Sequence, residues 1–246
     1  MLHEDTYRKL TEMRMHGFAA AFSEYLDGEH TVDELSFSDR FGLMADREWT
    51  ERQDRRLKRR ISMAKLREQA CLEDVDYRHP RNLDRSVVDR LASCRWLANH
   101  ENLILTGPTG VGKTWLSCAF AHQACRAGHT VLYKRVPRLL HDLHIARCDG
   151  SYGKELARLA RTQLLVLDDW GLAPLGDTER RDILEIVEDR HGRRSTILAS
   201  QIPVKLWHDT IGDPTIADAL LDRMVHNAHR LELGGTSMRR RWNKEG

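Results

Sequence analysis

Gly107-Pro108-Thr109-Gly110-Val111-Gly112-Lys113-Thr114 is the stretch on which the rest of the chain turns. It fits GxxxxGK[ST], and it stands directly after an apolar run, Asn102–Thr106, and at the start of a helical stretch, Lys113–Arg126. Glycines let such a loop turn so that its N–H groups converge on phosphate oxygens, and the helix N-terminus adds partial positive charge. The nucleotide-binding set is therefore Gly107 to Trp115. Within it Lys113 is expected to hold the β- and γ-phosphates and Thr114 to ligate Mg²⁺.

Working outward, the loop belongs to a series of short β-type runs that alternate with helical stretches: Asn102–Thr106, Thr130–Val136, Gln163–Asp168, Ser195–Ser200 and His229–Leu233. Strands separated by helices imply a parallel sheet covered on both faces, hence an α/β P-loop domain. The third run, Leu164-Leu165-Val166-Leu167-Asp168-Asp169, ends in two carboxylates. Asp168 is expected in the Mg²⁺ shell, and Asp169 suits polarising an attacking water, which points to hydrolysis rather than transfer to a small acceptor. The alternative is that one of the two merely caps the turn into Trp170-Gly171.

The segment before the sheet differs in kind. Leu10, Met13, Ala20 and Tyr25 suggest an imperfect amphipathic helix over Thr6–Asp27, and Ser36 or Ser38 can cap a second running to about Ala70. Tyr77-Arg78-His79-Pro80 breaks the pattern, because proline disfavours helix for the residue before it. The expected organisation is a small all-helical domain, 1–78, followed by the α/β domain, 79–246.

The formal charge of +2 hides a segregation, since residues 1–46 carry four Lys/Arg against ten Asp/Glu and residues 47–67 carry nine against three. On a helix, Arg52, Arg55, Arg56, Arg59 and Arg60 follow i, i+3, i+4, i+7, i+8 and form one basic stripe, with Leu57, Ile61 and Ala64 on the other side. The stripe suits the backbone of duplex DNA, read without sequence preference; its bland alternative is a solvated face. No apolar run is long enough to span a bilayer, and the acidic start lacks the features of a signal peptide, so a cytoplasmic chain with no membrane partner is expected. The five cysteines have no CxxC spacing and are expected to be reduced, buried small apolar groups. His141/His144 and His226/His229 have i, i+3 spacing but no accompanying ligand motif for zinc.

Together with LVLDDWGLAPL, REWTERQDRRLKRR, GSYGKELARLAR, DRHGRRSTILASQIPVKLWH and DPTIADALLDRMVHNAHRLEL, these motifs resemble the AAA+ ATPases, in particular the IstB-type transposition helper proteins, with DnaC-type helicase loaders as relatives. The resemblance implies ATP and Mg²⁺ as cofactors, an ATPase, a homo-oligomer forming a ring or helical assembly, duplex DNA, and a cognate transposase as partner. Gln201 occupies the sensor 1 position, Arg223 resembles an arginine finger delivered to a neighbour's ATP, and Arg239 falls where a sensor 2 arginine is expected. Two departures stand out. Asp169 replaces the usual glutamate, which implies slow or partner-dependent hydrolysis. Too few residues follow Leu233 for the usual helical lid, so adenine is expected against residues around Asn82–Trp96 and a neighbouring subunit. A helicase loader is the alternative within the fold, and a metabolic P-loop kinase the alternative from another class.

Overall fold

In the computed structural model, which describes residues 2–27 and 35–238, the first expected helix is divided into α1 (Leu2–Glu12) and α2 (His16–Leu26). The break is at Arg14, whose φ of 59° lies in the left-handed region that ends a run of right-handed helix. Helix α3 (Phe37–Ala64) starts where the Ser36 hydroxyl accepts from Asp39 N, and stops at Ala64, short of Ala70, because Lys65 has a φ of 54°.

The chain divides into two compact units, Met1–Arg59 and Arg60–Gly246, so the division falls inside α3, ahead of the junction expected at Tyr77–Pro80. In the first unit Leu10, Phe18 and Ala19 form a small core with Met15, Phe22 and Met44 against it. Gly17 is required there, since a Cβ would fall 2.9 Å from Glu48 Cα. That approach brings the buried Glu48 carboxylate onto the start of α2, where it accepts from Gly17 N at 2.8 Å and Phe18 N at 3.2 Å. Helix N-termini leave such N–H groups unpaired, and a carboxylate satisfies them with a favourable dipole.

The second unit is built on five parallel strands: β1 (Asn102–Thr106), β2 (Val131–Arg135), β3 (Leu164–Trp170), β4 (Ser195–Ser200) and β5 (Ala228–Glu232), in the order β2-β3-β4-β1-β5. Each lies within two residues of the expected run at its ends. Before β1 come α4 (Arg85–Ala92) and the short α5 (Arg95–Ala98), and after it α6 (Lys113–Arg126). The later crossovers are α7 (Val136–Asp149), α8 (Tyr152–Arg161), α9 (Asp177–Arg190), α10 (Trp207–Ile211) and α11 (Pro214–Val225). Strands covered on both faces read as continuous apolar runs, and β4 is buried along its whole length. Leu139, Leu143, Leu159, Ile183, Trp207 and Leu220 pack against the sheet in one core, none more than 2% exposed. Of the cysteines, Cys94, Cys118 and Cys125 are buried as expected, whereas Cys148, one residue from the end of α7, is exposed.

Candidate functional site

A cavity of about 710 Å³ opens at the C-terminal edge of the sheet, and Thr109, Gly110, Gly112, Lys113, Thr114, Trp115, Asp168, Asp169 and Gln201 all line it. Crevices of this kind, outside the carboxyl ends of parallel strands, are where such folds take ligands. Two of those residues need an irregular backbone to meet there. Along a regular strand, consecutive side chains point to opposite faces. Between Leu167 and Trp170, however, Asp168 and Asp169 stand against the single residue Ala199, because the register runs Leu167↔Leu198 and then Trp170↔Ser200. This bulge, with Asp169 at a φ of 60°, turns both carboxylates into one cavity.

Asp168 is 1% exposed and is the hub of the site. Its Oδ2 accepts from the Thr114 hydroxyl at 2.8 Å and from the Tyr133 hydroxyl at 2.6 Å, and its Oδ1 accepts from Asp169 N at 3.0 Å. Burial, and then the carboxylate that accepts its proton, push the Tyr133 hydroxyl far above the ordinary tyrosine range, while Arg67 beside it pulls the other way. Asp169 accepts from Arg135 Nε at 2.6 Å. Lys113 Nζ donates to Gly107 O at 2.6 Å and Pro108 O at 2.8 Å, which sets the ammonium inside the curve of the loop. Val111 is fully buried beneath it, and Thr109 Oγ1 donates to Gln201 Oε1 at 2.8 Å, joining the loop to the end of β4.

The donor set fits Mg²⁺. This hard cation is commonly held by one or two protein oxygens while phosphates and water complete its shell, and a hydroxyl and a carboxylate stand side by side here. Among the described residues no group of three or more His, Cys, Asp or Glu is placed to hold a metal without such help.

Other expected residues lie elsewhere. Arg223 is outside the nucleotide cavity; its Nη1 donates to Ala219 O and its Nη2 pairs with Glu188 at 3.1 Å, beside a second cavity at the other end of the sheet. Arg239 lies outside the described residues. The base wall is displaced from its expected position: Arg67, Glu68, Gln69, Asp74, Asp76 and Arg81 line the cavity, and none of Asn82–Trp96 does. In that later segment Asp84 caps α4, and Val88, Leu91 and Trp96 are committed to the core.

The basic stripe is not uniform. Arg52 donates to Glu48, and Arg55 pairs with the same carboxylate at 3.6 Å, whereas Arg56 and Arg59 are exposed and make no hydrogen bond or ion pair among the described residues. Arg60 lies in the second unit near Gly128, where its charge helps lower the His129 pKa below the usual histidine value, after burial as the larger cause.

Sequence reading missed Arg67, Arg81, Tyr133, Arg135 and Glu48. Tyr133 and Arg135 carried a faint signal, an ionisable pair closing an otherwise apolar strand; the others had none.

A P-loop opening a helix, a buried acid on the neighbouring strand and the order β2-β3-β4-β1-β5 define a P-loop nucleotide-binding protein of the AAA+ type. Solved structures agree on the fold: a DnaC helicase loader superposes with a TM-score of 0.56 at 21% identity over 69% of this chain and 99% of that one. DnaA bound to AMPPCP and single-stranded DNA gives 0.55 at 17% identity over 74% and 55%. The model of the IstB-like ATP binding protein family matches residues 8–246, and the chain belongs to that family. It is 52% identical to the insertion sequence ATP-binding protein y4pL of Sinorhizobium fredii, over 98% of each chain. It is also 50% identical to the ATP-binding protein of insertion sequence IS1162 from Pseudomonas fluorescens, over 82% of this chain and 88% of that one. Among the described residues no helix is long and apolar enough to cross a membrane.

Proposed function

We propose that the chain is an ATP-dependent regulator of DNA transposition that assembles on duplex DNA and recruits or stimulates the transposase of its element, with ATP binding as the switch and hydrolysis as the reset. Membership in a family of insertion-sequence ATP-binding proteins carries this reading. The convergence of Lys113, Thr114, Asp168, Asp169 and Gln201 on one cavity supports it.

In this reading the loop N–H groups and Lys113 neutralise the phosphate oxygens. Bound Mg²⁺, held by Thr114 and Asp168, supplies further charge stabilisation. Asp169 accepts the proton of the attacking water, and the Gln201 amide orients that water. Because Arg135 holds Asp169 at 2.6 Å, the carboxylate must turn from this partner to face a water, which makes hydrolysis dependent on what else engages Arg135. Arg223, which the fold keeps out of its own nucleotide cavity, serves a neighbouring copy, where a guanidinium stabilises charge on the transferring group. Copies assembled in this way present Arg56 and Arg59 repeatedly to the phosphates of one duplex.

The test is fluorescence anisotropy with a labelled duplex, with and without a non-hydrolysable ATP analogue, followed by capture of the transposase encoded beside the gene. The analogue should tighten DNA binding and promote capture, and Lys113→Ala should abolish both effects. Equal binding and capture with and without nucleotide would refute the switch.

A further inference from the structure

We propose that Arg81 is a nucleotide-binding residue, held against the P-loop so that its buried Nε–H donates to an acceptor on the nucleoside monophosphate half of the ligand, an α-phosphate oxygen or a ring nitrogen. The inference rests on reading the cavity as the ATP site.

Arg81 lines the cavity and yet is 2% exposed. A cation so buried is costly unless it is paired and its donors are used. The partners it has are neutral: Nη1 donates to Val111 O at 3.1 Å and lies 3.2 Å from Met238 Sδ, and Nη2 donates to Asp76 O at 3.2 Å. Nε is buried with no acceptor among the described residues. Burial pulls the guanidinium below the usual arginine range, with the charges of Asp76 and Tyr77 opposing. One donor and one positive charge are thus left facing a cavity whose other wall binds polyphosphate.

The surroundings hold the side chain in this place. A Cβ on Gly112 would fall 2.6 Å from Arg81 Nη1, so the glycine that shapes the phosphate loop also admits the guanidinium. Arg81 O accepts from Gly234 N at 3.0 Å, His79 Nε2 is 2.9 Å from Thr236 O, and Met238 N donates to Gly110 O at 3.0 Å. The segment that leaves β5 therefore runs along His79–Arg81 and onto the P-loop. None of the hydrogen bonds of Arg81 reaches Lys113, Thr114, Asp168, Asp169 or Gln201, which surround the phosphate and metal end. Its reach is to the other half of the ligand, where the expected base wall of Asn82–Trp96 is absent. An arginine that served only to tie Asp76 to Val111 would not leave Nε orphaned toward the same space.

Full-length wild type, Arg81→Lys, Arg81→Met and Lys113→Ala would be titrated with ATP, ADP and inorganic tripolyphosphate by calorimetry, each after a thermal melt without ligand. Loss of a charge-assisted hydrogen bond should weaken ATP and ADP binding by about 10- to 100-fold in Arg81→Met, and in Arg81→Lys, which keeps the charge but not Nε. An equal loss for tripolyphosphate would assign the acceptor to phosphate, and tripolyphosphate affinity left unchanged would assign it to the base. Wild-type ATP affinity in folded Arg81 variants would overturn the proposal. Should both variants fail to fold, the Nε–H resonance of Arg81 in the wild-type chain decides it: it should shift on saturation with ATP, and an unmoved resonance overturns the assignment. A wild type that binds no ATP, or Lys113→Ala that binds it undiminished, would instead remove the site reading on which the inference stands.

Discussion

Replacing Arg56 and Arg59 with alanine, and separately Arg52 and Arg55, should give two different phenotypes, because the structure divides one sequence stripe into two kinds of arginine. Arg56 and Arg59 have no partner among the described residues, so each is available to a DNA phosphate. Each phosphate neutralised releases condensed counterions and adds about −0.9 to the slope of log K against log salt. The Arg56/Arg59 pair should therefore flatten that slope by about 1.8 while leaving the melting curve unchanged, since alanine is the best helix former and nothing in the fold leans on either side chain. Arg52 and Arg55 are already balanced by Glu48. Their side chains are 44% and 48% exposed, so each ion pair by itself contributes little, about 0.2–1 kcal/mol. The carboxylate they balance is buried, however, and stripping its cations leaves it with Gly17 N and Phe18 N alone, a cost of about 1–3 kcal/mol. This second pair should lower the stability of the Met1–Arg59 unit and change the slope by less than about one unit. Anisotropy on a labelled duplex across a salt series, with hydrogen exchange at α2 as the stability readout, separates the two. An unchanged slope in the Arg56/Arg59 variant would show that the stripe is a solvated face. A full 1.8-unit loss without destabilisation in the Arg52/Arg55 variant would show that Glu48 does not hold those arginines in solution.

Lys113→Ala should lose about 10- to 100-fold in ATP affinity by calorimetry while keeping its fold, because it removes a phosphate cation and no core volume. Asp169→Asn should bind ATP normally and hydrolyse it about 10²- to 10⁴-fold more slowly in a phosphate-release assay; asparagine tolerates the left-handed backbone there, so the geometry is retained. Arg223→Ala should bind ATP and turn it over at least about 10³-fold more slowly, and mixing it with Asp169→Asn should restore some turnover, since one mixed interface then carries an intact pair. Absence of rescue in confirmed mixed oligomers would place Arg223 outside the reaction. For Glu48, burial raises the pKa but the bonds from Arg52, Phe18 N and Gly17 N outweigh it, so the folded value lies below the ordinary 4.5. The stability that wild type holds over Glu48→Gln should therefore be fully present above that ordinary value and disappear as pH falls through the lowered one, as followed by urea denaturation.

How far the sequence could be read depended on whether a feature was local. The strands were readable because each is a buried apolar run ended by polar residues, and the P-loop because its glycines and lysine are contiguous. Asp168 followed from its place at the end of such a run. Where a tertiary contact sets the backbone, the reading stopped. Nothing in Met13-Arg14-Met15 announces a helix break, since the left-handed turn at Arg14 is maintained by the packing of α2 on α3 at Gly17. The division of the stripe depends on Glu48 reaching Gly17 and Phe18, 31 and 30 residues away. Arg67 and Arg81 precede the P-loop by dozens of residues and reach the cavity only because the chain between Ala64 and α4 folds back along it.

The shorter acid at position 169, which sets this chain apart from AAA+ proteins with glutamate there, has a structural reason in the bulge. At a φ of 60° a side chain with a Cβ is strained, and among charged residues aspartate adopts this region most readily because its short carboxylate can bond locally. Asp169 N indeed donates to the neighbouring Asp168 Oδ1 at 3.0 Å, so the backbone turn and the carboxylate hub support each other. The same turn brings two consecutive side chains to one cavity, which a flat strand could not do. A longer acid on a regular strand and a shorter acid on a bulge are thus two ways of putting a carboxylate beside a phosphate. The second way ties the acid to Arg135 at the end of β2, and through Asp168 to Tyr133 two residues earlier on that strand. Arg67, three residues past the end of α3, stands against the Tyr133 hydroxyl. A displacement of the segment after α3 therefore meets the metal-binding carboxylate through one intervening side chain, and β2 is the element through which it would reach both acids.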